Sequence, residues 1–287
     1  NKVAIVTGAS AGIGLITARE LAKKGCHVIL ACRSRTKTDP VVEAIKAVAP
    51  GATVEFMELD LMRLKSVQAF TDAFKARQLP LHILVNNAGI MAPPFALSAD
   101  GIESQFATNH IAHMALTQRL LPILEASAPS RVVVVSSMAH KWTASNGIDF
   151  DTINDAAAYA PWTWYGQSKL ANILFARELS RQLVARGVHN VYVNAVHPGG
   201  VATDLMRDFN WFVRAIAKPF LVSPDDGAKT QLYVATSPAI ETNEWRGRYF
   251  VPTADLSEST AFGQDAELAK RLWDYSVRVI EDNIGSA

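Results

Sequence analysis

The segment Lys2-Val-Ala-Ile-Val-Thr-Gly-Ala-Ser-Ala-Gly-Ile-Gly14 joins a β-branched apolar run to a glycine-rich turn. The apolar run predicts a strand that is buried on both faces, and residues 15–24 predict a helix after the turn. Glycines between a strand and a helix let the backbone approach a pyrophosphate, which then sits at the positive end of the helix. The spacing is Gly-x-x-x-Gly-x-Gly rather than the commoner Gly-x-Gly-x-x-Gly. Tight packing alone is the alternative, but the strand–turn–helix context favours a dinucleotide site.

The same alternation of apolar runs and helical stretches continues along the rest of the chain. Further strands are predicted at residues 27–31, 53–59, 81–85, 131–135, 190–196 and 248–251. Helices are predicted at residues 39–49, 62–77, 100–124, 165–186 and 265–281, and another begins at Pro224 after the N-cap Ser223. This alternation predicts the α/β class, with a doubly wound parallel sheet of about seven strands and helices on both faces. No internal repeat or linker interrupts it, so we expect residues 1–287 to form one domain.

Composition and charge exclude several classes of protein. Of the 287 residues 49% are hydrophobic and 19% are charged, and the net charge of +1 gives no reason to expect a nucleic-acid partner. The two cysteines, Cys26 and Cys32, predict buried free thiols in a reducing compartment. No apolar run of about 18 residues predicts a membrane span, so a cytoplasmic location is expected. The chain begins at Asn1 rather than Met, so an upstream leader or membrane anchor stays open.

The end of the second predicted strand bears on the choice of cofactor. An NAD site places an acidic residue there to hold the ribose 2′-hydroxyl. This chain instead has Ala31-Cys-Arg-Ser-Arg-Thr-Lys37, and its first acidic residue is Asp39. Arg33 would pair with the 2′-phosphate of NADP(H), whereas a carboxylate would repel it. The segment therefore predicts NADP(H) rather than NAD(H), with Arg33 and Lys37 as candidate ligands. A solvated basic loop is the alternative, and it suits Arg35 better than Arg33.

Tyr165 and Lys169 stand four residues apart in a predicted helix and therefore share one of its faces. A free tyrosine titrates at a pH of about 10, so it is a poor base at neutral pH. A fixed ammonium within about 4–6 Å favours the phenolate and lowers its pKa. The spacing can thus create an acid/base group, although such pairs also occur by chance on many helices.

Three further polar residues lie at candidate ligand-binding positions. Ser136 and Ser137 follow the apolar run at 131–135, and the carboxyl ends of parallel strands form the ligand crevice of a doubly wound sheet. Both hydroxyls are candidates for binding a carbonyl oxygen. Asn109 is a polar amide within an apolar helical stretch, which costs stability unless the amide is hydrogen-bonded. A satisfied core asparagine is the alternative to a functional one.

Together these motifs resemble those of the short-chain dehydrogenase/reductase family over essentially all 287 residues. Each motif alone is weak evidence for this family, but the order of the motifs and their positions at strand ends are specific to it. The matching pieces are Thr7-Gly8-x-x-x-Gly12-x-Gly14, Asp60-Leu61, Asn86-Asn87-Ala88-Gly89, Asn109, Ser137, Tyr165-x-x-x-Lys169 and Pro198-Gly199. The runs at 31–33, 136–140 and 165–172, with the long separation of Ser137 and Tyr165, are most similar to the branch of retinol dehydrogenases and WW-domain oxidoreductases.

The resemblance implies a Rossmann fold that binds NADP(H), and it implies roles for four residues. Tyr165 would exchange a proton with the substrate oxygen, and Lys169 would lower its pKa and hold the nicotinamide ribose. Ser137 would bond the same oxygen, and it matches because it directly precedes Met138-Ala139. Asn109 would anchor water in a proton relay to Lys169.

The resemblance also implies a set of cofactor-binding positions besides Arg33, Lys37, Tyr165 and Lys169. These positions are Gly8, Ser10, Gly12, Ile13, Gly14, Asp60, Leu61, Asn87, Ala88, Gly89, Pro198, Gly199, Val201 and Thr203. Among them, Ile13 and Gly14 would lie at the pyrophosphate, Asp60 at the adenine, Asn87 near the adjoining ribose, and Val201 and Thr203 on the nicotinamide side.

These roles predict an NADP(H)-dependent oxidoreductase that transfers hydride between the nicotinamide and a carbonyl or alcohol group. Hydride transfer builds negative charge on a carbonyl oxygen, and two hydroxyl donors, Ser137 and Tyr165, can meet that charge. Reduction of an imine or an activated C=C bond stays open, because it would use the same hydride site. A catalytically silent nucleotide-binding regulator is disfavoured, because no motif residue is missing. His140 and His197 lack a ligand cluster and Ser137 lacks a Gly-x-Ser-x-Gly context, so neither a metal site nor a hydrolase triad is expected.

Residues 202–222 mix aromatic with basic side chains. They could form a lid over the substrate, a contact with a membrane surface or part of the core, and we favour the lid. This segment predicts a hydrophobic, fairly bulky substrate, as do the tryptophans Trp142, Trp162 and Trp164. The resemblance also implies a homodimer or homotetramer that pairs the helices starting near Tyr165 and Ser223.

Overall fold

The apolar runs of the sequence form one sheet of eight strands in the computed structural model, which describes residues 2–200 and 223–286. In chain order the strands are β1 (Val3–Thr7), β2 (His27–Cys32), β3 (Val54–Glu58), β4 (Ile83–Asn86), β5 (Ser130–Val135), β6 (Val191–Val196), β7 (Tyr249–Val251) and β8 (Asp255–Ser257). Their spatial order is β3-β2-β1-β4-β5-β6-β7-β8, and every neighbouring pair is parallel except β7 with β8. The predicted doubly wound parallel sheet is confirmed.

The eighth strand is the difference from the predicted count of about seven. β8 turns back after β7 and pairs with it antiparallel, with Phe250 opposite Leu256. Its residues are mostly exposed, so they lack the continuous apolar run that marks the buried parallel strands. Hydrophobic periodicity therefore could not predict this short edge strand.

Helices cover both faces of the sheet, as predicted. In chain order they are α1 (Gly12–Lys23), α2 (Arg35–Val48), α3 (Leu64–Ala76), α4 (Ser104–Phe106), α5 (Ala112–Ala126), α6 (Pro161–Ala185), α7 (Pro224–Thr236), α8 (Ala239–Thr242), α9 (Ala261–Gln264) and α10 (Ala266–Ile284). Ser223 caps α7 as expected, because its hydroxyl accepts the Asp226 N–H at 3.1 Å. A 3₁₀ turn, Met138–Lys141, follows β5. The predicted helix at 100–124 is interrupted by a π-helical segment, Ala107–Ile111, which contains Asn109.

β1 shows how a continuous apolar run supports two cores. All five of its residues are buried. Ile5 packs into a cluster with side chains of α3, α5, α6 and α10, while Val6 packs into a second cluster with side chains of α1, α2 and α7. Successive strand residues point to opposite faces of a sheet, so a strand between two helical layers needs apolar residues at every position.

The strand order reverses between β1 and β4, which places a crevice outside their carboxyl ends. Thr7 ends β1, Asn86 ends β4 and Val135 ends the neighbouring β5. Because these parallel strands end on the same edge of the sheet, the segments that follow them lie side by side. The glycine-rich turn, residues 86–89 and Ser137 therefore meet at this edge.

The C-terminal helix α10 covers part of α6, which is itself largely buried within the single chain. Trp273 of α10 stacks on Phe175 of α6 with ring centroids 6.1 Å apart. Ser276 lies 3.0 Å from a ring nitrogen of His110, which follows α4. A partner chain could not pack against the surface of α6 that α10 occupies. A homodimer or homotetramer that pairs this helix would have to use another part of its surface. Self-association stays a proposal.

Cys26 and Cys32 are buried free thiols, as predicted. Burial raises the pKa of both thiols, so neither is an activated nucleophile. Among the described residues no helix is both long and apolar enough to span a bilayer.

Candidate active site

The glycine-rich turn packs so closely against the end of β4 that larger residues would not fit. Gly8 has a φ of 65°, and a Cβ there would stand 2.9 Å from the Cα of Ala88. A Cβ on Gly14 would stand 2.7 Å from the Gly8 carbonyl oxygen and closer still to the Asn87 amide. Ala11 occupies the N-cap of α1, and no side chain in the described residues caps this helix. Its first N–H groups are thus available to an anion, as a pyrophosphate site requires.

Thr7 holds the loop after β4 beside this turn. Its hydroxyl accepts the backbone N–H groups of Asn87 and Ala88, both at 2.9 Å, and its carbonyl oxygen accepts the Asn87 side-chain amide at 2.8 Å. The Asn87 side-chain oxygen is buried and has no hydrogen-bond partner among the described residues. A buried acceptor is costly unless a donor satisfies it, so Asn87 is placed to accept a hydroxyl group such as that of a ribose.

The segment after β2 presents basic side chains to solvent at the start of α2. Arg33 and Lys37 are exposed. Arg35 lies 4.6 Å from the centre of the Phe56 ring and 3.6 Å from the Asp39 carboxylate. The first acidic residue after β2 is therefore on the helix and already paired. Arg33 and Lys37 remain in position to bind an anion.

Asp60 and Leu61 follow β3, two strands away from β1. The Asp60 carboxylate accepts the Met62 N–H at 3.1 Å and stands 3.6 Å from the Arg63 guanidinium, so it is partly engaged within the chain. Leu61 is buried in the core, so only its backbone is left to reach a ligand. Ser10 lies in the glycine-rich turn and Ile13 lies in the first turn of α1, and both are partly exposed.

The two adjacent serines after β5 occupy different environments. Ser136 is buried, and its hydroxyl donates to the Lys169 carbonyl oxygen at 2.7 Å. Ser137 is partly exposed, and its hydroxyl accepts the Ala139 N–H at 3.2 Å where the 3₁₀ turn begins. The Ser137 hydroxyl also faces the Tyr165 phenol closely enough to lower its pKa. Ser136 thus makes a structural contact, and Ser137 is the serine that meets Tyr165.

Tyr165 and Lys169 are nearly enclosed, with 5% and 4% of their surfaces exposed. The Lys169 ammonium donates to the Val135 carbonyl oxygen at 3.1 Å and lies 5.6 Å from the centre of the Tyr165 ring. Burial raises the pKa of Tyr165 to about 12, against the opposing effect of the Ser137 hydroxyl, and burial lowers the pKa of Lys169 to about 8. In the chain alone the pKa of Tyr165 is therefore raised instead of showing the expected lowering, because removal of the phenolate from water is the largest effect.

Asn109 has a fully satisfied side chain. Its Nδ2 group donates to the Ile90 carbonyl oxygen at 3.0 Å and to the Ser168 hydroxyl at 2.9 Å, and its Oδ1 atom accepts the Ile90 N–H at 2.9 Å. A Cβ on Gly89 would stand 3.0 Å from that Oδ1 atom and 3.4 Å from the Lys169 ammonium. Gly89 thus lets Asn109 and Lys169 approach the same loop. The side chain therefore has the hydrogen bonds of a satisfied core asparagine.

Pro198 and Gly199 follow β6 at the same edge of the sheet, and the Gly199 N–H donates to a ring nitrogen of His197 at 3.2 Å. Val201, Thr203 and the segment 202–222 lie outside the described residues. Within residues 2–200 and 223–286, no group of three or more His, Cys, Asp or Glu side chains is arranged to hold a metal ion.

Trp162 lies beside Tyr165, and Trp142 packs against Trp162. Trp142 and Trp162 are 50% and 43% exposed, and their ring centroids are 5.9 Å apart. The Trp162 ring is 6.4 Å from that of Tyr165. Trp164 is buried instead, and its indole N–H donates to the Ile153 carbonyl oxygen at 2.8 Å. Trp142 and Trp162 therefore present exposed aromatic rings in this part of the chain, whereas Trp164 does not.

Gly166 contributes to the site in a way that the motif spacing did not reveal. A Cβ there would stand 2.7 Å from the Ala139 carbonyl oxygen and closer still to that of Trp142. The 3₁₀ turn that presents Ser137 can therefore lie directly on α6, next to Tyr165. A glycine inside a helix lowers its stability. Gly166 within a predicted helix is therefore the sequence feature that indicates a close approach of another segment to α6.

Comparison with known proteins identifies the family. A family model described as short chain dehydrogenase matches residues 2–150. The chain is 43% identical over 286 residues to the chloroplastic short-chain dehydrogenase TIC 32 A of Brassica napus, a match that covers 97% of this chain and 88% of that protein. It is 41% identical over 293 residues to the human WW domain-containing oxidoreductase, covering 99% of this chain and 69% of that protein.

Solved structures share the same fold. The crystal structure of an uncharacterised protein from Mycobacterium paratuberculosis is similar at a TM-score of 0.80 and 36% identity, covering 98% of this chain and 94% of that one. A short chain dehydrogenase from Shigella flexneri 2a, crystallised in complex with NADP, is similar at a TM-score of 0.66 and 25% identity, covering 88% and 96% of the two chains. The chain therefore belongs to the short-chain dehydrogenase/reductase family of Rossmann-fold oxidoreductases.

Proposed function

We propose that the protein is an NADP(H)-dependent oxidoreductase that transfers hydride between the nicotinamide and a carbonyl or alcohol group of a hydrophobic small molecule. One observation carries this proposal. The Ser137 hydroxyl is close enough to the Tyr165 phenol to oppose the effect of burial on its pKa, and the Lys169 ammonium lies 5.6 Å from the centre of the Tyr165 ring. Two donors can thus be directed at a single oxygen atom, where negative charge develops when hydride reaches a carbonyl carbon.

The residues present fit a nicotinamide dinucleotide. The N-terminus of α1 has no side-chain cap among the described residues, and Gly14 keeps the turn free of a side chain. The buried Asn87 oxygen lacks a donor in the same ranges. The Lys169 ammonium has three N–H donors, and Val135 accepts one of them. We therefore place the pyrophosphate at the turn and ribose hydroxyls at Asn87 and Lys169. When bound, the dinucleotide supplies or takes up the hydride.

Tyr165 is the proposed proton donor and acceptor. Its pKa of about 12 keeps the phenol protonated at neutral pH, as the reduction of a carbonyl requires. Ser137 donates a second hydrogen bond to the same substrate oxygen. Below its pKa of about 8, Lys169 is positively charged and stabilises the phenolate that remains after the proton has moved. The backbone carbonyl of Asn109 is the proposed anchor of the water that returns a proton through Lys169.

NADP(H) is the proposed cofactor in preference to NAD(H). Arg33 is exposed just after β2, and the first acidic residue that follows, Asp39, pairs with Arg35. A guanidinium binds a 2′-phosphate through charge-assisted hydrogen bonds, and Lys37 adds positive charge near the N-terminus of α2. The Shigella flexneri protein was crystallised with NADP, which supports a phosphorylated dinucleotide here.

A hydrophobic substrate is proposed from the surface next to Tyr165. Trp142 and Trp162 are half-exposed there and present large apolar rings. Burial of such rings against an apolar group is favourable, which suits a substrate with a bulky apolar part beside its carbonyl. The aromatic composition of residues 202–222 supports the same class of substrate. We propose residues 202–222 as a lid over that substrate, and residues 1–287 as one domain.

The test is NADPH oxidation measured against a panel of aldehydes, ketones, steroids, retinoids, imines and activated alkenes. We expect reduction of at least one hydrophobic carbonyl, and loss of that activity in the Tyr165→Phe variant. Turnover of imines or alkenes alone would favour those alternative reactions. Binding of NADPH without turnover of any compound would favour a silent nucleotide-binding regulator and overturn the proposal.

A further inference from the structure

His113 is buried between the end of β1 and the π-helical segment that carries Asn109. Its Nε2 atom lies 2.9 Å from the Thr7 hydroxyl oxygen, and its Nδ1 atom lies 3.2 Å from the Asn109 backbone carbonyl oxygen. Thr7 holds the loop on the cofactor side of the crevice, and Asn109 belongs to the proton-transfer side. The imidazole ring therefore bridges the two sides.

The hydrogen bonds of Thr7 decide which nitrogen of the His113 ring is protonated. A hydroxyl has one hydrogen and two acceptor lone pairs. The N–H groups of Asn87 and Ala88 occupy both lone pairs. The Thr7 hydrogen must therefore be donated, and His113 Nε2 at 2.9 Å is a shorter contact than the Val85 carbonyl oxygen at 3.4 Å. Nε2 is then an unprotonated acceptor.

The other ring nitrogen must in turn carry the hydrogen, because a neutral imidazole has one donor and one acceptor. A protonated Nδ1 donates to the Asn109 carbonyl oxygen at 3.2 Å. In the opposite tautomer the unprotonated Nδ1 atom would face the Asn109 carbonyl oxygen, so two acceptors would meet. The Nε2–H group would be a third donor directed at the Thr7 hydroxyl oxygen. Complete burial lowers the pKa of His113 to about 4, and the charge of Lys169 acts in the same direction. The ring is thus neutral near pH 7, in the Nδ1–H form.

Asn109 extends this contact to the helical turn of Tyr165. Its side chain holds the Ile90 backbone through two hydrogen bonds and donates to the Ser168 hydroxyl at 2.9 Å. The Ser168 hydroxyl donates to the Tyr165 backbone carbonyl oxygen at 2.8 Å. A continuous set of buried hydrogen bonds therefore connects the loop held by Thr7 with the turn that carries Tyr165.

We propose that His113 is a positioning residue, whose Nδ1–H group fixes the Asn109 backbone carbonyl and whose Nε2 atom ties that carbonyl to the Thr7 hydroxyl. The inference rests on the proposed function, because the group that His113 positions belongs to the proposed proton-transfer site. A fully satisfied buried network is rigid, so the cofactor loop and the proton relay keep one relative position.

The first test reads the tautomer and does not depend on activity. The protein is labelled with ¹⁵N at histidine, and long-range ¹H–¹⁵N spectra are recorded from roughly pH 5.5 to 8, where an ordinary histidine titrates. We expect a ring that does not titrate and has the Nδ1–H pattern, and the His113→Gln variant should lack it and so assign it. An Nε2–H pattern for His113, or an ordinary titration, would overturn the inference.

Three substitutions then test the roles of the two ring nitrogens of His113 separately. His113→Asn retains an N–H donor near the position of Nδ1, His113→Gln retains an acceptor near Nε2, and His113→Leu removes both. We expect His113→Asn to keep kcat within about threefold of the wild type, whereas His113→Gln and His113→Leu lower kcat about tenfold with little change in KM. The basic limb of the kcat pH profile should shift in the same two variants.

Equal kcat values and pH profiles in all four proteins would contradict the positioning role. Equal losses in His113→Asn and His113→Leu would also contradict it, because the retained donor would then have no effect. If circular dichroism shows that His113→Leu does not fold, the Asn and Gln variants still give the comparison of donor with acceptor. A wild type that reduces no carbonyl contradicts the proposed function, whereas the wrong tautomer in an active enzyme contradicts this inference alone.

Discussion

The Lys169 ammonium stands 5.6 Å from the centre of the Tyr165 ring, but its hydrogen bond goes to the Val135 carbonyl oxygen at 3.1 Å. The lysine is therefore held by the edge of the sheet and not by the tyrosine. Burial raises the pKa of Tyr165 to about 12 and lowers that of Lys169 to about 8. A protonated phenol thus faces an ammonium that is close to losing its proton. At neutral pH this arrangement suits proton donation by Tyr165 better than proton abstraction.

The pH dependence of carbonyl reduction should follow Lys169. Its charge, which we propose stabilises the Tyr165 phenolate, is lost as the pH rises through about 8. We therefore expect kcat/KM for NADPH, which reports ionisations of the free enzyme, to fall through the same pH range. Lys169→Arg keeps its charge at higher pH, so the residual activity of that variant should lose this basic limb. A basic limb at an unchanged pH in Lys169→Arg would show that another group is responsible.

Arg33→Ala should weaken NADPH binding much more than NADH binding, because only NADPH carries the 2′-phosphate. Loss of a charge-assisted contact predicts an increase of about tenfold or more in the Kd for NADPH and a change of less than about twofold for NADH. Arg35→Ala is the matched control, since Arg35 contacts Phe56 and Asp39. Fluorescence titration measures both cofactors. Equal losses for the two, or a larger effect from Arg35→Ala, would remove the basis for the NADP(H) preference.

Substitution of the two adjacent serines should affect different properties. Ser137→Ala removes the proposed donor to the substrate oxygen, so kcat should fall about 10²–10³-fold with little change in the thermal unfolding midpoint. Ser136→Ala breaks the buried bond to the Lys169 carbonyl oxygen, so it should lower the unfolding midpoint and reduce kcat less. Turnover and thermal unfolding are measured on both variants. A larger loss of kcat in Ser136→Ala would reverse the assignment.

Acid should destabilise the protein through buried neutral histidines. Burial lowers the pKa of His110 to about 3 and that of His197 to about 4. In the unfolded chain both rings would bind protons at a pH of about 6.5. Between the folded and unfolded values the unfolded state holds more protons, so the free energy of unfolding rises with pH across this window. It should consequently fall as the pH drops below about 6.5.

The His110→Gln variant isolates one of these rings. Its thermal unfolding midpoint should depend less steeply on pH than that of the wild type between about pH 4 and 6.5, because a titrating group has been removed. His189→Gln is the control, since His189 is exposed. Identical slopes for His110→Gln and the wild type would show that His110 does not contribute to acid unfolding.

Most of the fold could be predicted because its signals are local. β1 is a continuous apolar run that leads into a glycine-rich turn, and α7 starts at a serine cap followed by proline. β8 could not be predicted, since its exposed residues lack an apolar pattern. The π-helical segment around Asn109 could not be predicted either, because a shift of backbone hydrogen bonding leaves the hydrophobic spacing nearly unchanged.

The candidate site was predictable where motif spacing places residues on one turn, as for Tyr165 and Lys169. It was not predictable where other segments of the chain decide the environment. The direction of the Tyr165 pKa shift depends on burial by neighbouring elements, which Tyr-x-x-x-Lys does not encode. The part played by His113 depends on Thr7, which is 106 residues away in the chain.

The decisive measurement is the turnover of Tyr165→Phe with NADPH and a hydrophobic carbonyl. The substitution removes one hydroxyl and keeps the ring that packs beside Trp162. Tyr275→Phe is the control, because it loses a hydroxyl in α10, where the ring packs against Phe106. We expect Tyr165→Phe to lower kcat by about 10²–10⁴-fold with the Kd for NADPH within about threefold of the wild type, and Tyr275→Phe to leave both unchanged. A folded Tyr165→Phe enzyme that turns over at nearly the wild-type rate would contradict the role of Tyr165 as the proton donor.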